Sequence, residues 1–294
     1  MSILTIKNVN VYYRQFQALY DVSMNVEASG IHGFIGQNGA GKTTLINAIL
    51  GYLKPREGEI YFEQGSSFED FSKEVGYVPD APGFPEFLNA HEYLKDVCQI
   101  YQIPPNQTLI DETLNLVGLN VKTQRIKTYS RGMRQKLAIA AGIIHQPRIL
   151  IMDEPTSALD PLSRRQILDL MLRLKEKMAI LYSTHILEDA EKVCNDISII
   201  HQGKISYHGT LKSLLKDEKS HYLIEARGLN KINKSDLKKM GVFDIKNPFA
   251  KVAYQGSSSE LIKKLIENGV QLESFRPIVT TLEERFKEVI GHVD

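Results

Sequence analysis

Short apolar runs alternate along the chain with segments in which apolar residues recur at helical spacing. Ile31–Ile35 and residues 149–152 have the length and composition of strands that are buried on both faces of a parallel sheet. Apolar residues recur every three or four positions over residues 45–53, which predicts a helix directly after the first run. Residues 1–11 alternate between apolar and polar side chains, as in a half-buried strand. Together these patterns predict an α/β core.

A different pattern begins after Gly209, where Lys, Ser and Asn become more frequent and residues 212–221 favour a helix and a linker. The predicted elements beyond are a strand (221–227), a helix (234–241), two strands (242–246 and 251–256), a helix (257–269), a strand (270–278) and a final helix (281–291). The order βαββαβ plus one helix predicts a small ferredoxin-like α+β domain. We therefore expect two domains, at residues 1–215 and 216–294.

The overall composition indicates a protein without a strong field of either sign. The chain has 36 Lys and Arg against 35 Asp and Glu, a net charge of +1, so it offers no general attraction to duplex nucleic acid or an anionic membrane surface. Cys98 and Cys194 lie far apart, which argues against a disulfide framework and a zinc site. The longest apolar run, residues 137–144, is too short for a membrane span, and residues 1–11 lack signal-peptide order. We expect a cytoplasmic protein that is soluble when alone.

A phosphate-binding motif joins the first buried strand to the first helix. Gly36, four residues, and then Gly41, Lys42 and Thr43 satisfy the pattern GxxxxGK[ST]. The glycines let successive backbone N–H groups turn toward one point, and the helix N-terminus adds partial positive charge there. Lys42 is expected to neutralise the β and γ phosphates of a nucleotide, and Thr43 to offer its hydroxyl to Mg²⁺. The flanking strand and helix favour this interpretation over a chance glycine-rich turn.

Two adjacent carboxylates, Asp153 and Glu154, follow the second buried run. Open α/β sheets bind ligands at the carboxyl ends of their strands, and adjacent strand residues point to opposite faces. We therefore expect different roles, with Asp153 in the Mg²⁺ shell and Glu154 positioning and polarising the attacking water. His185 closes a further predicted strand. Alone it would more often be a packing residue, but beside these motifs it is a candidate donor to the γ-phosphate.

The order of these segments resembles the ATP-binding subunit of ABC transporters over residues 3–215. The matching segments are GQNGAGKTT (36–44) with the Walker A loop, LIMDE (150–154) with Walker B, SALD (157–160) with the D-loop, and His185 with the switch histidine. Residues 129–133, YSRGM, resemble the signature segment usually written LSGGQ. A cation at its third position, and the ending LEERFKEVIG, are similar to the drug- and bacteriocin-export branch of the family.

The resemblance implies a P-loop NTPase core with an antiparallel β subdomain and a helical subdomain, followed by the small ferredoxin-like domain. Strands near residues 3–13, 22–27 and 58–63 would form the antiparallel sheet, and the helical subdomain would span about 86–145, with helices at 92–102 and 110–119. The implied ligands are ATP and Mg²⁺. The Walker A residues expected to hold the nucleotide are Gly36, Asn38, Gly39, Ala40, Gly41, Lys42, Thr43 and Thr44.

In this family two ATP-binding domains pair head to tail, and the signature loop of one closes on the ATP held by the other. The resemblance therefore implies that Ser130, Gly132, Met133 and Asp160 contact the nucleotide of a partner subunit. Ser130 and Asp160 are also favoured N-cap residues, and both roles can hold at once. Tyr13, five residues before Ala18, is expected to stack on the adenine ring, although a tyrosine in a strand is often a packing residue.

The chain departs from the family pattern at two places. Arg131 stands where the consensus has Gly, so a positive φ there becomes unfavourable and an extra charge enters the loop. Asp80 stands where the Q-loop normally presents Gln; it is either a charged ligand that approaches Mg²⁺ or an exposed acid in a Pro/Gly turn. Arg134 and Lys136 are expected on the solvated face of an amphipathic helix.

The implied partners are a second ATPase subunit, in a homodimer, and a separate transmembrane permease, without nucleic acid. The chain would then lie at the cytoplasmic face of the membrane and hydrolyse ATP to drive export. The alternative is a soluble ABC ATPase that acts on nucleic acid or ribosomes. Such relatives tend to carry paired ATPase domains or long coiled-coil insertions, and this sequence has neither. The resemblance also implies that the permease selects the transported substance.

Overall fold

The computed structural model describes residues 1–63, 67–121, 123–216, 220–227, 241–246, 248–254, 257–278 and 280–291. The chain divides into two compact units. The first comprises Met1–Leu214 and the end of the last helix from Phe286, and the second comprises Leu215–Arg285. Among the described residues, no helix has the length and apolar character needed to cross a membrane.

The first unit contains nine strands and eight helices in its described residues. The strands are β1 (Ser2–Tyr13), β2 (Phe16–Glu27), β3 (Ile31–Ile35), β4 (Glu57–Phe62), β5 (Val75–Val78), β6 (Ile149–Asp153), β7 (Ala179–Thr184), β8 (Asp196–His201) and β9 (Lys204–Thr210). The helices are α1 (Lys42–Ile49), α2 (Phe68–Phe71), α3 (Ala90–Ile100), α4 (Gln107–Leu116), α5 (Arg131–Ile143), α6 (Pro161–Leu174), α7 (Leu187–Val193) and α8 (Leu211–Leu215), with 3₁₀ turns at Ser72–Glu74 and Ile126–Thr128.

A six-stranded sheet in the order β5-β6-β7-β3-β8-β9 forms the centre of the first unit. Its strands are parallel except for β9, which returns from β8 as a hairpin. Every residue of β3, β6 and β7 is buried, which explains why these strands are continuous apolar runs. The two buried parallel strands predicted from the sequence are confirmed, and their carboxyl ends meet at one edge of the sheet.

A second, antiparallel sheet in the order β2-β1-β4 covers this core. The prediction of three strands is confirmed. For β2, the second of them along the chain, the predicted start at residue 22 is wrong. Strand β2 begins at Phe16, because Tyr13 and Phe16 pair across the two-residue turn of a β1–β2 hairpin. Arg14 in that turn has φ 56°, a conformation that short hairpin turns require. The inner face of this sheet shares one apolar core with Leu45, Ile46 and Ile49 of α1.

Helices α3, α4 and α5 make up the helical segment that the sequence predicts. Asn89 starts α3 with a capping box, in which its side chain accepts from the Glu92 backbone N–H and Glu92 accepts from the Asn89 N–H. Arg125 pairs with Glu92 at 2.8 Å and so joins the stretch before α5 to the start of α3. These contacts fix the entry to the signature segment at residues 129–133.

The second unit is a four-stranded antiparallel sheet in the order β11-β12-β10-β13 with a helix against one face. Its elements are β10 (Ser220–Arg227), β11 (Val242–Lys246), β12 (Phe249–Tyr254), α9 (Ser258–Glu267) and β13 (Gln271–Ile278), followed by α10 (Leu282–Gly291). Ser257 begins α9 with a second capping box. This is the strand order of a ferredoxin-like sheet. The predicted helix at 234–241 lies outside the described residues apart from Gly241.

A chain of polar contacts crosses from the antiparallel sheet to the central sheet of the first unit. Ser198 Oγ lies 2.8 Å from His32 Nε2 and 2.9 Å from His208 Nδ1, and His208 Nε2 lies 2.6 Å from Asn25 Oδ1. His32 is 3% exposed. Burial, with a smaller contribution from the charge of His208, lowers the pKa of His32 to about 3. His32 is therefore neutral in the folded protein at physiological pH.

The depressed pKa of His32 predicts acid sensitivity of the first unit. In the unfolded chain a histidine protonates near pH 6.5, so the His32 contribution to stability is complete above that pH and is lost as pH falls toward 3. The loss amounts to at most about 1.4 kcal/mol per pH unit. Denaturant unfolding of the wild type and His32→Gln at pH 7, 6 and 5 should show a smaller decline for the variant. Equal declines would contradict the assignment, because the other titrating groups are common to both proteins.

Candidate functional site

The loop between β3 and α1 combines two kinds of glycine. Gly39 and Gly41 have φ 81° and 110°, conformations that side-chain-bearing residues rarely adopt. Gly36 lies so close to β8 that an added Cβ would be 2.6 Å from the Ile200 carbonyl oxygen. Gly41 is the N-cap residue of α1, so the partially positive N-terminus of this helix faces the centre of the loop. The segment is therefore shaped by backbone geometry to receive an anion.

A cavity of about 950 Å³ opens over this loop. Its wall contains Tyr13, Asn38, Gly39, Gly41, Lys42, Thr43, Thr44, Asp80, Glu154 and His185, all of them predicted site residues. Gly36 and Ala40 belong to the same loop, and Ala40 accepts a hydrogen bond from the Gly203 N–H. Tyr13 is partly exposed, and its hydroxyl lies 3.5 Å from Thr44 Oγ1. The fold thus gathers the predicted nucleotide loop, aromatic residue and catalytic carboxylate around one space.

Lys42 is the buried cation of this site, with 6% of its side chain exposed. Its ammonium donates to the Gly36 and Gln37 carbonyl oxygens at 2.7 and 3.2 Å and lies 3.0 Å from Glu154 Oε1. A buried ammonium needs an anion nearby, since its desolvation is otherwise uncompensated. Glu154 supplies that anion here.

Asp153 ends β6 and Glu154 follows it, and the two carboxylates face different partners. Asp153 is buried and accepts from Thr43 Oγ1 at 3.0 Å and from Ser183 Oγ at 2.5 Å. Glu154 pairs with Lys42 and, through Oε2, with His185 Nδ1 at 2.8 Å. Asp153 therefore contacts Thr43 at the end of the phosphate loop, whereas Glu154 lies between Lys42 and His185.

The backbone at Glu154 is unusual. Its φ of 47° lies in the left-handed region, and its N–H donates to the backbone and side-chain oxygens of Ser183, each at 3.1 Å. A non-glycine residue in this conformation is strained, and such strain concentrates at functional sites. The turn redirects the chain after β6, so that the Glu154 carboxylate can reach both Lys42 and His185.

Asp80 lies in the same negatively charged corner. Its pKa is raised, first by burial and then by the charges of Asp153 and Glu154, while Arg131 and His185 act in the opposite direction. Both departures from the family pattern, Asp80 and Arg131, therefore act on each other electrostatically within one chain. Arg131 opens α5 and is exposed, with no positive φ, as expected from the sequence.

The other two cations after residue 129 have partners within the chain. Arg134 pairs with Glu86 at 2.9 Å, and Lys136 donates to the Gly118 carbonyl oxygen at 3.2 Å. Both side chains are half-buried. These contacts tie α5 to the neighbouring parts of the helical segment, and the part of each side chain that stays exposed agrees with the expected solvated face.

The remaining predicted residues, Ser130, Gly132, Met133 and Asp160, form a second group outside the cavity wall. Ser130 Oγ caps α5 by accepting from the Met133 N–H at 3.2 Å. Asp160 caps α6 by accepting from the Leu162 and Ser163 N–H groups at 3.1 and 3.0 Å. A Cβ added to Gly132 would lie 2.5 Å from Ser163 Oγ, so the starts of the two helices are closely packed. Two helix N-termini therefore lie side by side.

Sequence reasoning missed the turn between β8 and β9, which also lines the cavity. Gln202, Gly203 and Lys204 contribute to its wall, together with Phe16 and Tyr20 of β2. The Tyr20 N–H donates to the Gly203 carbonyl oxygen at 2.8 Å, and a Cβ on Gly203 would meet the Ala18 oxygen at 2.4 Å. The available signal was Gly203 itself, a glycine in a tight hairpin turn with φ 76°.

A phosphate loop at the end of one parallel strand, with paired carboxylates at the end of a second parallel strand one position removed in the same sheet, defines a P-loop nucleoside triphosphatase. A family model described as ABC transporter matches residues 19–157. The chain is 37% identical to the uncharacterised ABC transporter ATP-binding protein YxlF of Bacillus subtilis over 222 residues, 74% of this chain and 75% of that protein. It is 30% identical to the bacitracin transport ATP-binding protein BcrA of Bacillus licheniformis over 306 residues, 99% and 98% of the two chains.

Among solved structures, the chain resembles one described as an ATP-binding subunit of an ABC transporter. The TM-score is 0.64 at 31% identity, and the match covers 72% of this chain and 92% of that chain. The protein therefore belongs to the ATP-binding subunits of ABC transporters, which bind ATP, hydrolyse it and work with transmembrane permease components.

The close contact at Gly36 predicts that even one methyl group damages the loop. Gly36→Ala should lower the free energy of unfolding by about 1–3 kcal/mol, because the loop or β8 must shift, and should weaken ATP binding. Gly83→Ala is the matched control, since no atom lies within 4 Å of a Cβ added there. Its stability should change by no more than about 0.5 kcal/mol. Chemical denaturation and ATP titration measure both effects, and equal behaviour of the two variants would refute the packing argument.

Proposed function

We propose that two copies of this chain pair head to tail, hold ATP between them, and use its hydrolysis to drive export through a separate permease. The observation that carries this proposal is the division of the predicted site into two groups. One group surrounds the cavity over the phosphate loop, and the other presents the N-termini of α5 and α6 outside it.

The second group has the chemistry of a phosphate contact but belongs to a different surface from the loop. A helix N-terminus carries partial positive charge and free N–H groups, which favour an anion. In a head-to-tail pair, Ser130, Gly132 and Met133 of one copy meet the terminal phosphate held by the other, and Asp160 approaches across the interface. Arg131 is exposed at the same helix start and adds positive charge.

Within one copy the roles divide between charge neutralisation and activation of water. Lys42 and the loop N–H groups bind the β and γ phosphates, and Tyr13 stacks on the base. Glu154 positions and polarises the attacking water, and His185 contacts the γ-phosphate and orients Glu154 through their 2.8 Å contact. Phosphoryl transfer depends mainly on such alignment and charge stabilisation, and these residues are the contribution of one copy to both.

The donor set of Thr43, Asp153 and Asp80 fits Mg²⁺. All three present oxygen, the ligand that Mg²⁺ prefers, and Thr43 already lies within hydrogen-bond distance of Asp153. The pKa of Asp80 is raised first by burial and then by the charges of Asp153 and Glu154, and a cation would offset that second contribution. When bound, Mg²⁺ neutralises charge on the phosphates, while Ser183 holds the second oxygen of Asp153.

An aromatic surface beside Asp80 suits the permease. Tyr52 and Phe87 are 70% and 72% exposed, and Phe84 packs edge-on against Tyr93 with ring centroids 5.1 Å apart. The pKa of Tyr101 is raised by burial and then by Tyr52 and Tyr93, which places these rings near one another. Exposed aromatic residues are enriched at protein interfaces. Docking there puts the chain at the cytoplasmic face of the membrane, and residues 216–294 serve as an accessory domain that stabilises the pair or regulates it.

Glu154→Gln tests the catalytic part of the proposal. The variant should bind ATP, accumulate dimers in the presence of Mg-ATP, and lose at least about a hundredfold in turnover, because an amide cannot act as the base. Light scattering measures the dimer and phosphate release measures turnover. Glu176→Gln, at an exposed acid after α6, is the control and should behave as wild type. Hydrolysis by Glu154→Gln at the wild-type rate would remove Glu154 from its role.

A further inference from the structure

Four side chains outside the nucleotide cavity form a buried chain of hydrogen bonds. Tyr182 OH lies 3.1 Å from Thr156 Oγ1, and Thr156 Oγ1 donates to Asp189 Oδ2 at 2.9 Å. Arg164 Nε lies 2.8 Å from both oxygens of Asp189. Tyr182 and Asp189 are 0% exposed and Thr156 is 1% exposed, so only Arg164 reaches solvent.

The direction of the hydrogen bonds in this chain follows from counting protons. A threonine hydroxyl has one proton, and Thr156 gives it to the Asp189 carboxylate. Tyr182 must then donate to Thr156 Oγ1. Burial raises the pKa of Tyr182, which keeps its hydroxyl protonated for that purpose. Asp189 therefore accepts from Thr156 and Arg164 directly, and Tyr182 joins the chain by donating to Thr156.

The chain joins three segments that carry site residues. Thr156 lies two residues after Glu154, in a turn where Ala158 has φ 53°. Asp189 lies on α7, four residues after His185. Arg164 lies on α6, one turn after its N-cap residue Asp160. Asp189 thus connects the turn that follows the water-positioning carboxylate, the helix that follows the switch histidine, and the helix that begins at the partner-facing loop.

We infer that Thr156, Asp189 and Arg164 are positioning residues that hold Glu154 and His185 in register with each other and with the loop at residues 157–160. The inference rests on the proposed roles of Glu154 and His185. None of the three positioning residues lines the nucleotide cavity, so they act on the reaction only through the segments they join.

The type of interaction favours positioning over simple stability. Burying a charged pair is costly in desolvation, and apolar side chains of similar volume often stabilise a fold as well or better. What an apolar cluster does not provide is directionality. The contact of Arg164 Nε with both oxygens of Asp189 fixes the orientation of the carboxylate, and the single proton of Thr156 fixes the turn against it. Two strained backbone positions, Glu154 and Ala158, flank Thr156 and need such an external restraint.

Thr156→Val and Thr156→Ser form the decisive pair of variants. Valine keeps the shape and removes the hydroxyl, whereas serine keeps the hydroxyl and removes a methyl group. We expect Thr156→Val to lower kcat for ATP about tenfold with little change in KM, because a small misplacement of catalytic groups affects the chemical step more than binding. Thr156→Ser should restore most of the rate. Rates are expressed per chain that binds Mg-nucleotide, which removes any effect of misfolded protein.

Arg164→Lys tests the other end of the chain. Lysine keeps the charge but not the Nε–H group that both Asp189 oxygens share, so kcat should again fall with KM retained. Arg165→Lys is the matched control, since Arg165 is 81% exposed and lies 3.9 Å from Asp169. The control should hydrolyse ATP at the wild-type rate.

The outcomes separate this inference from the proposed function. If Glu154→Gln abolishes hydrolysis while Thr156→Val and Arg164→Lys keep the wild-type kcat, the positioning chain is overturned and the catalytic assignment stands. If Thr156→Val and Thr156→Ser lose the same fraction of kcat, the hydroxyl is not responsible and the inference also fails. If Glu154→Gln has no effect while Thr156→Val lowers kcat and Thr156→Ser restores it, the role of Glu154 falls, the positioning of Glu154 is overturned with it, and only the positioning of His185 stands.

Discussion

The structure of the nucleotide site depends on one buried positive charge. Lys42 is held among carbonyl oxygens and has a carboxylate 3.0 Å away, with almost none of its side chain in water. Such a charge is tolerated only with an anion beside it. The loop that carries Lys42 is built to attract a second anion, since its glycines and the N-terminus of α1 converge on the same point. In the proposed mechanism, phosphate and Glu154 both lie against the Lys42 ammonium, which would link nucleotide binding to the position of the proposed catalytic carboxylate.

The fold places the other polar groups of the site around the Lys42–Glu154 pair. The parallel sheet brings the ends of β3, β6 and β7 to one edge, so Thr43, Asp153 and Ser183 form one set of contacts while Lys42, Glu154 and His185 form another. The strained turn after Glu154 separates the two sets. The helix N-termini at Ser130 and Asp160 lie outside the cavity, where the proposed head-to-tail pair needs them in order to contact the nucleotide of another copy.

Much of this could be predicted from the sequence, because the motifs are local. A phosphate loop depends on residue types at fixed spacing between a strand and a helix, and the buried parallel strands reveal themselves as unbroken apolar runs. The early start of β2 was not predictable from its alternation, since the pairing of Tyr13 with Phe16 depends on the turn between them. Contacts between segments distant in sequence determine the partners of Arg134 and Lys136. The same holds for the close approach of Gly203 to β2. The Tyr182–Thr156–Asp189–Arg164 chain is of the same kind, and its residue types carry no motif.

The central claim is that each nucleotide is shared between two copies, and mixing two disabled variants tests it most directly. Lys42→Ala removes the ammonium group of the phosphate loop, and Ser130→Arg blocks the contact that the start of α5 offers to the partner's nucleotide. In a head-to-tail pair, a mixed dimer has one site in which both defects coincide and one site that is fully intact, and random association makes about half of all pairs mixed. We predict that neither variant alone hydrolyses ATP and that the mixture regains hydrolysis. A mixture as inactive as its components would show that both residues serve the nucleotide of their own chain, and it would contradict the shared site.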